Sequence, residues 1–271
     1  MNKSDKISSI IKKDLGYTFQ NNAFCFLPGD RKPKDTAGSG LLGKTQGVLK
    51  QYGKFYYFLL ETFAPVYSEK SFKKKIGTVL EEYDESNIIL NLGSGPVYFR
   101  NRADIINVDI FAFDEVDIVA DCESLPIEND SVDMIINMAM LEHVKDPGAV
   151  VHEMFRILKP QGKAICYLPF MVPFHAAPHD YQRWTLPGVR RLFCEFSHIE
   201  TGIGAGPTSG MLWVIQEWIS ILLSFGSRGL HDIVFMILML ITFPLKYIDV
   251  LITKFPDSEK IASGFYVIGN K

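Results

Sequence analysis

From residue 88 onward, short apolar runs alternate with stretches of helical spacing. "IILNL" (Ile88–Leu92) is the first predicted strand. "DIINVDIF" is the second, ending at Asp109, and "DIVAD" the third, ending at Asp121. "SVDMIINMAM", "KAICYLPF", "HIETGI" and the terminal "SGFYVIGNK" supply four more. Between them, "DPGAVVHEMFRILKPQG" predicts a helix with Asp146 as N-cap, Pro147 at its first position and a Pro-x-Gly stop. "VRRLFCEF" predicts a second helix. Strands alternating with helices imply an α/β fold, a doubly wound, seven-stranded and mostly parallel sheet with right-handed crossovers.

The flanks read differently. "GYTFQNNAFCFLPGD" alternates like a hairpin turning at Asn21-Asn22, and "PGDRKPKDTAGSG" reads as a linker. From Leu41 to about Tyr83 the spacing is helical, with Tyr52, Phe55, Tyr56 and Phe63 as packing residues and Pro65 as a break. Near the other end, "MLWVIQEWISILLSF" (Met211–Phe225) and "IVFMILMLITFPL" (Ile233–Leu245) are strongly apolar. Each is shorter than the ~20 residues of a bilayer-spanning helix. The expected divisions are 1–40 (hairpin and linker), 41–84 (helical), 85–202 (core), 203–262 (apolar helical insertion) and 263–271 (last strand).

Composition narrows the classes. Of 271 residues, 47% are hydrophobic and 22% charged, so the chain can bury a full core. A net charge of -3 gives no drive toward nucleic acid, and none is expected as a partner. The four cysteines form no C-x-x-C pair, which suits a reducing compartment, and no metal-ligand set is read from the sequence. The lysine-rich N-terminus has no continuous apolar segment of signal-peptide type.

The first strand runs into G-S-G-P. Gly93 and Gly95 remove Cβ atoms that would keep a ligand off the backbone. Tyr98 stands where a dinucleotide fingerprint needs a third glycine, and no G-K-[ST] follows to hold phosphates. Asp109, at the end of the second strand, can accept from both ribose hydroxyls of an adenosine. Asp121 and Cys122 stand at the third strand's end, where a carboxylate and a backbone N–H can meet an adenine edge.

"LNLGSGP", "NVDIF", "ADCESLPIENDSVDMII", "LEHVKDP" and "VVHEMFRILKPQG" follow in an order and spacing that resemble the class I S-adenosylmethionine-dependent methyltransferases of the type 11-like subfamily. The resemblance covers Ile88 to Phe170. It implies a Rossmann-like methyltransferase fold with S-adenosyl-L-methionine as cofactor. Gly93, Ser94 and Gly95 would lie along methionine and ribose, Asp109 on the ribose, and Asp121 with Cys122 at the adenine; Asn91, Ile110 and Asn137 complete the implied set. Two positions depart from the pattern: Asn91 replaces an aspartate and Gln161 a glycine.

Acceptor chemistry belongs after the fourth and fifth strands. "LPFMVPFHAAPHDYQRWT" gathers His175, His179, Asp180, Tyr181 and Arg183 in one loop, and "LEHV" adds His143. A histidine can act as base near neutral pH, and Arg183 can hold a phosphate or carboxylate. The same groups could instead only pin the loop. The loop also resembles the "PFHxxPxDYxRYT" signature of methyltransferases found alongside glycan-assembly enzymes. "GYTFQNNAFCFLPGD" resembles the last hairpin of a zinc-ribbon-like module without its cysteines, and is expected to bind no zinc.

The insertion begins beside the acceptor side of the sheet, with Arg228, Lys246 and Lys254 flanking its apolar runs. Residues 211–253 are therefore expected to make peripheral membrane contact, with a helical layer or homodimer face as the alternative. The expected activity is methyl transfer to a small or lipid-linked acceptor, such as a polyprenyl-linked glycan, in the cytoplasm at the inner face of the membrane. The alternatives are a soluble methyltransferase acting on a quinone-like or sugar acceptor, and a non-catalytic scaffold of the same fold.

Overall fold

A computed structural model of the protein describes residues 2–20, 22–27, 62–63, 70–95, 102–175 and 179–271. The predicted linker up to residue 40, most of the 41–69 segment with Tyr52, Phe55, Tyr56 and Pro65, and the positions after Gly95 that include Tyr98 lie outside the described residues.

The sheet is built from β3 (Ile89–Leu92), β4 (Ile106–Asp109), β5 (Ile118–Val119), β6 (Val132–Met138), β7 (Leu158–Pro169), β8 (Ser197–Ala205) and β9 (Gly264–Asn270), in the spatial order β5-β4-β3-β6-β7-β9-β8. Strands β3 to β7 pair in parallel, and β9 runs antiparallel to both its neighbours. The mostly parallel, seven-strand core is as expected. Two further strands join it. The hairpin β1 (Thr18–Gln20) and β2 (Ala23–Cys25) turns at Asn22, whose φ of 62° is the left-handed geometry asparagine tolerates. β2 pairs in parallel with β5, making a sheet of nine strands among the described residues. The sequence showed the hairpin but not its docking, because alternation reports which face a strand buries and not which edge it covers.

Side-chain alternation supplies two cores. On one face Leu90, Leu92, Ile135, Cys166 and Val267 pack with α1 (Lys3–Ile10), α3 (Pro147–Ile157) and α4 (Leu186–Leu192). On the other, Ile89, Met134, Ile136, Ile165 and Ile268 pack with Phe72 of α2 (Lys70–Glu81). The sheet is doubly wound. Asp146 caps α3 as predicted, its Oδ1 accepting from the Ala149 N–H at 3.0 Å. Gln161, the departure from a family glycine, has φ of 69°, a conformation in which a Cβ is strained.

The insertion is a helical hairpin of α5 (Pro207–Ser224) and α6 (Arg228–Thr242). After α6 the chain continues helically through a 3₁₀ segment (Phe243–Ile248) into α7 (Asp249–Ile252). The expectation that both runs are too short to span a bilayer fails for the second. Arg228–Ile252 is 25 residues long, and 17% of its most apolar window is buried. Pro244 does not break it, because proline fits the first turn of the 3₁₀ segment. The hairpin base is fastened by Asp249, which accepts from the N–H groups of Thr208 at 2.7 Å and Ser209 at 3.0 Å. Lys246, expected at a headgroup level, is instead fully buried.

Candidate active site

The strand order reverses around β3, whose neighbours are β4 and β6. Ligands of open α/β sheets bind at such a switch point, beyond the carboxyl ends of the strands. The chain turns there from β3 through Gly93, Ser94 and Gly95. The N–H groups of Gly93 and Ser94 donate to the Val108 carbonyl at 2.8 and 3.2 Å, which fastens the turn to β4.

The two glycines do different work. Both have positive φ, 68° at Gly93 and 56° at Gly95. Among the described residues, a Cβ at Gly95 would meet nothing within 4 Å, so as far as they line it the turn leaves room for a ligand. A Cβ at Gly93 would stand 2.3 Å from Cγ of Met140. Gly93 therefore admits Met140, from the segment after β6, against the turn.

Asp109 is buried, and its Oδ2 accepts from the Gly95 N–H at 2.8 Å while Oδ1 accepts from the Phe111 N–H at 2.9 Å. Burial raises the pKa of its carboxyl from the ordinary value, against these backbone bonds. Each oxygen keeps acceptor capacity for a hydroxyl. Ile110 follows on the rim, half-buried. Asn137, fully buried, donates Nδ2–H to the Leu92 carbonyl at 2.9 Å, and its Oδ1 has no partner among the described residues. An orphaned buried acceptor beside a glycine turn fits a ligand's N–H. Asn91 is placed otherwise: its Nδ2 donates to Oδ1 of Asn107, its register partner on β4, at 3.0 Å. Asp121 is half-buried and accepts from the Glu123 N–H at 3.0 Å. The Cys122 thiol is buried, and burial, with Asp109 and Asp121 nearby, pushes its pKa well up. It is a neutral group here, not a nucleophile.

The acceptor loop folds over the segment after β6. The Tyr181 N–H donates to the Glu142 carbonyl at 2.8 Å. Arg183 does not reach outward for an anion. Its guanidinium grips both carboxylate oxygens of Asp180, and Nη2 donates to the Pro173 carbonyl at 3.1 Å. Burial works against ionisation of Asp180, but Arg183 and the His175 N–H outweigh it and hold the pKa at about 2. Asp180 and Arg183 thus bind each other and the loop's own backbone. Tyr181 and His179 are exposed, with ring centroids 5.4 Å apart. His143 and His175 meet edge to face at 5.3 Å. Glu142 raises the pKa of His175, ahead of the burial that lowers it.

Sequence reasoning missed two residues. Glu142 is completely buried between the two histidines. Trp213 of α5 lies 5.6 Å from the His175 ring, which brings the insertion to the site. Glu142 was adjacent to His143 in a quoted motif. Trp213 carried no signal inside an apolar run.

Residues 97–166 match the model of the methyltransferase domain family. The chain is 32% identical over 117 residues to the ubiquinone/menaquinone biosynthesis C-methyltransferase UbiE of Geotalea daltonii, covering 42% of this chain and 46% of that protein. It spans less than half the length of the curated relatives it matches. Among solved structures it is similar to phosphoethanolamine N-methyltransferase 2 of Haemonchus contortus, at TM-score 0.47 and 16% identity over 83% of this chain and 59% of that one. A second is an S-adenosylmethionine-dependent methyltransferase of Thermotoga maritima, at TM-score 0.46 and 14% identity over 83% and 97%. The family match over residues 97–166 and the strand order make this part of the chain similar to a methyltransferase domain.

Proposed function

We propose that this protein transfers a methyl group from S-adenosylmethionine to an amphiphilic acceptor at a membrane surface. The cofactor reading is carried by one convergence: the open position at Gly95, the Asp109 carboxylate bonded to that same glycine, and the orphaned Asn137 oxygen. Bound S-adenosylmethionine supplies an electrophilic methyl on a sulfonium. Asp109 would hold the ribose hydroxyls, Asn137 an N–H of the methionine part, and Asp121 with Cys122 the adenine edge. The remaining task of the protein is positioning, with removal of a proton where the acceptor is a hydroxyl.

The membrane reading rests on the hairpin's inverted polarity. Thr208, Ser209, Gln216, Ser220 and Ser224 of α5 face inward. Gln216 Nε2 crosses to Oγ1 of Thr242 at 2.7 Å. Outward stand Trp218, Ile221 and Leu222, Phe225 at the tip with 89% exposure, and Ile237 and Ile241 of α6. Polar contacts between helices under an apolar exterior suit helices in lipid. A quinone-like acceptor is the second reading, favoured by the quinone-biosynthesis enzymes among the relatives.

The test is transfer of label from methyl-tritiated S-adenosylmethionine by the purified chain in a membrane extract. Label in a polar-headed lipid fraction is the expected result. Label in a quinone fraction supports the second reading. No transfer, by a protein that binds the cofactor, contradicts both.

A further inference from the structure

The segment after β6 holds a group that cofactor binding does not use. Glu142 is fully buried, and among the described residues neither of its carboxylate oxygens has a hydrogen-bond partner. A buried carboxylate left unpaired is costly, and its persistence calls for a cation or a proton.

Two imidazoles face it. Nε2 of His143 stands 3.7 Å and Nε2 of His175 3.6 Å from Glu142 Oε1, both beyond hydrogen-bond reach. On the far side of each ring, Nδ1 meets a backbone carbonyl: that of His179 at 2.5 Å and that of Pro173 at 3.0 Å. A carbonyl only accepts, so each Nδ1 carries the hydrogen; these ring hydrogens are assigned from the partners. In each neutral ring the Nε2 lone pair is then turned toward Glu142. Arg183 Nη2 also lies 3.3 Å from His175 Nδ1. Its two hydrogens are already directed to Asp180 Oδ2 at 2.7 Å and the Pro173 carbonyl at 3.1 Å, so it leaves that assignment intact.

Two imidazole lone pairs and one carboxylate this close together repel one another when nothing lies between them. They are also the donor set of a divalent ion. A backbone carbonyl on the opposite ring nitrogen is the support that metal-binding histidines usually receive. The three ligand atoms lie within 4.8 Å of one another. Ligands about 2.1 Å from an ion at the tetrahedral angle stand about 3.4 Å apart, so separations of 3.6 and 3.7 Å need only a small inward movement.

We infer that Glu142, His143 and His175 form a binding site for a divalent transition ion such as zinc or manganese. Imidazole donors favour these ions over magnesium or calcium. Three protein ligands leave coordination positions open, as catalytic rather than structural sites do. Met140, two residues before Glu142, packs on Gly93, and Trp213 lies against His175. The open positions therefore belong to the rim between the cofactor turn and the hairpin, where an acceptor's hydroxyl or phosphate oxygen could complete the shell. That acceptor role rests on the methyl-transfer reading; the ion site itself does not.

The experiment is calorimetric titration of the metal-stripped full chain with Zn²⁺ and, separately, Mn²⁺, without S-adenosylmethionine or acceptor. One ion per chain is expected. Affinity should fall at least tenfold in Glu142→Gln, His143→Ala and His175→Ala. It should be unchanged in His152→Ala, whose exposed pairing with Glu195 lies outside the site. Circular dichroism checks each fold, and the ligands come from two separate segments, so an unfolded variant leaves others to read. A folded wild-type chain that takes up no stoichiometric ion overturns the site and leaves a proton shared with the imidazoles as the counter-charge. Uptake that the folded ligand variants retain overturns it equally. Loss of methyl transfer bears on neither result, because no cofactor is present.

Discussion

Single residues carry distinct duties within one short turn, and substitution separates them. Gly93→Ala would place a Cβ against Met140, while Gly95→Ala would place one clear of every described residue. Both incur the left-handed strain of about 1–2 kcal/mol. The expected outcome is that Gly93→Ala loses clearly more thermal stability than Gly95→Ala. Gly95→Ala should lose more S-adenosylhomocysteine affinity than its stability change explains. Comparing melting temperatures with titrations checks both. The glycines, Asp109 and Asn137 could be singled out in the sequence because their chemistry is local to strand ends. Arg183 was legible as charged but not as occupied; the signal was Asp180, three residues earlier. Glu142 was quoted and passed over. It is met by His175 and by the Tyr181 N–H, groups more than thirty residues further along the chain, and no local pattern reports such a long-range contact.

At the scale of elements, the sheet follows from period-2 patterning and from caps. Every core strand was foreseen, although "DIVAD" shrinks to two paired residues at Ile118–Val119. The α3 helix is further tied by Glu153 and Arg156. Glu153 accepts from the Leu125 N–H at 2.7 Å and pairs with Arg156, which donates to the Ile127 carbonyl at 2.7 Å. Burial would raise the Glu153 carboxyl, but Arg156 and the Leu125 N–H bring it below its ordinary value. A depressed folded pKa adds stability above the unfolded value, near 4.3, and the contribution is lost as pH falls through the folded one. Glu153→Gln should therefore cost about 1–3 kcal/mol at pH 7. That difference should stay constant down to about pH 5 and narrow below about pH 4. Urea unfolding of both proteins across pH 3–7 measures it; a difference that widens on acidification contradicts the assignment. The docking of the β1–β2 hairpin on β5 was not legible, since edge choice depends on which backbone groups remain unpaired after folding.

For the whole molecule, the open question is what covers the hairpin. Its outward residues, Trp218, Ile221 and Leu222 of α5, Phe225 at the tip, and Ile237 and Ile241 of α6, are large, apolar and exposed, and such a face usually marks a contact surface. Vesicles containing anionic lipid should sediment the protein, and replacing Trp218, Ile221 and Phe225 together by serine should release it without changing its fold. A protein that ignores vesicles and instead elutes as a dimer, made monomeric by the same substitutions, favours a second copy as the cover. The sequence showed both apolar runs, but not that the second continues as one helical stretch or that the hairpin's interior is polar, because that interior is defined only when two helices meet. All of this concerns the acceptor. The claim beneath it is that the glycine turn holds S-adenosylmethionine, and calorimetric titration with S-adenosylhomocysteine tests it most directly. Binding at one site per chain, lost in a folded Asp109→Ala variant, is the predicted result. A well-folded chain that does not bind, or binding that Asp109→Ala leaves intact, would contradict it.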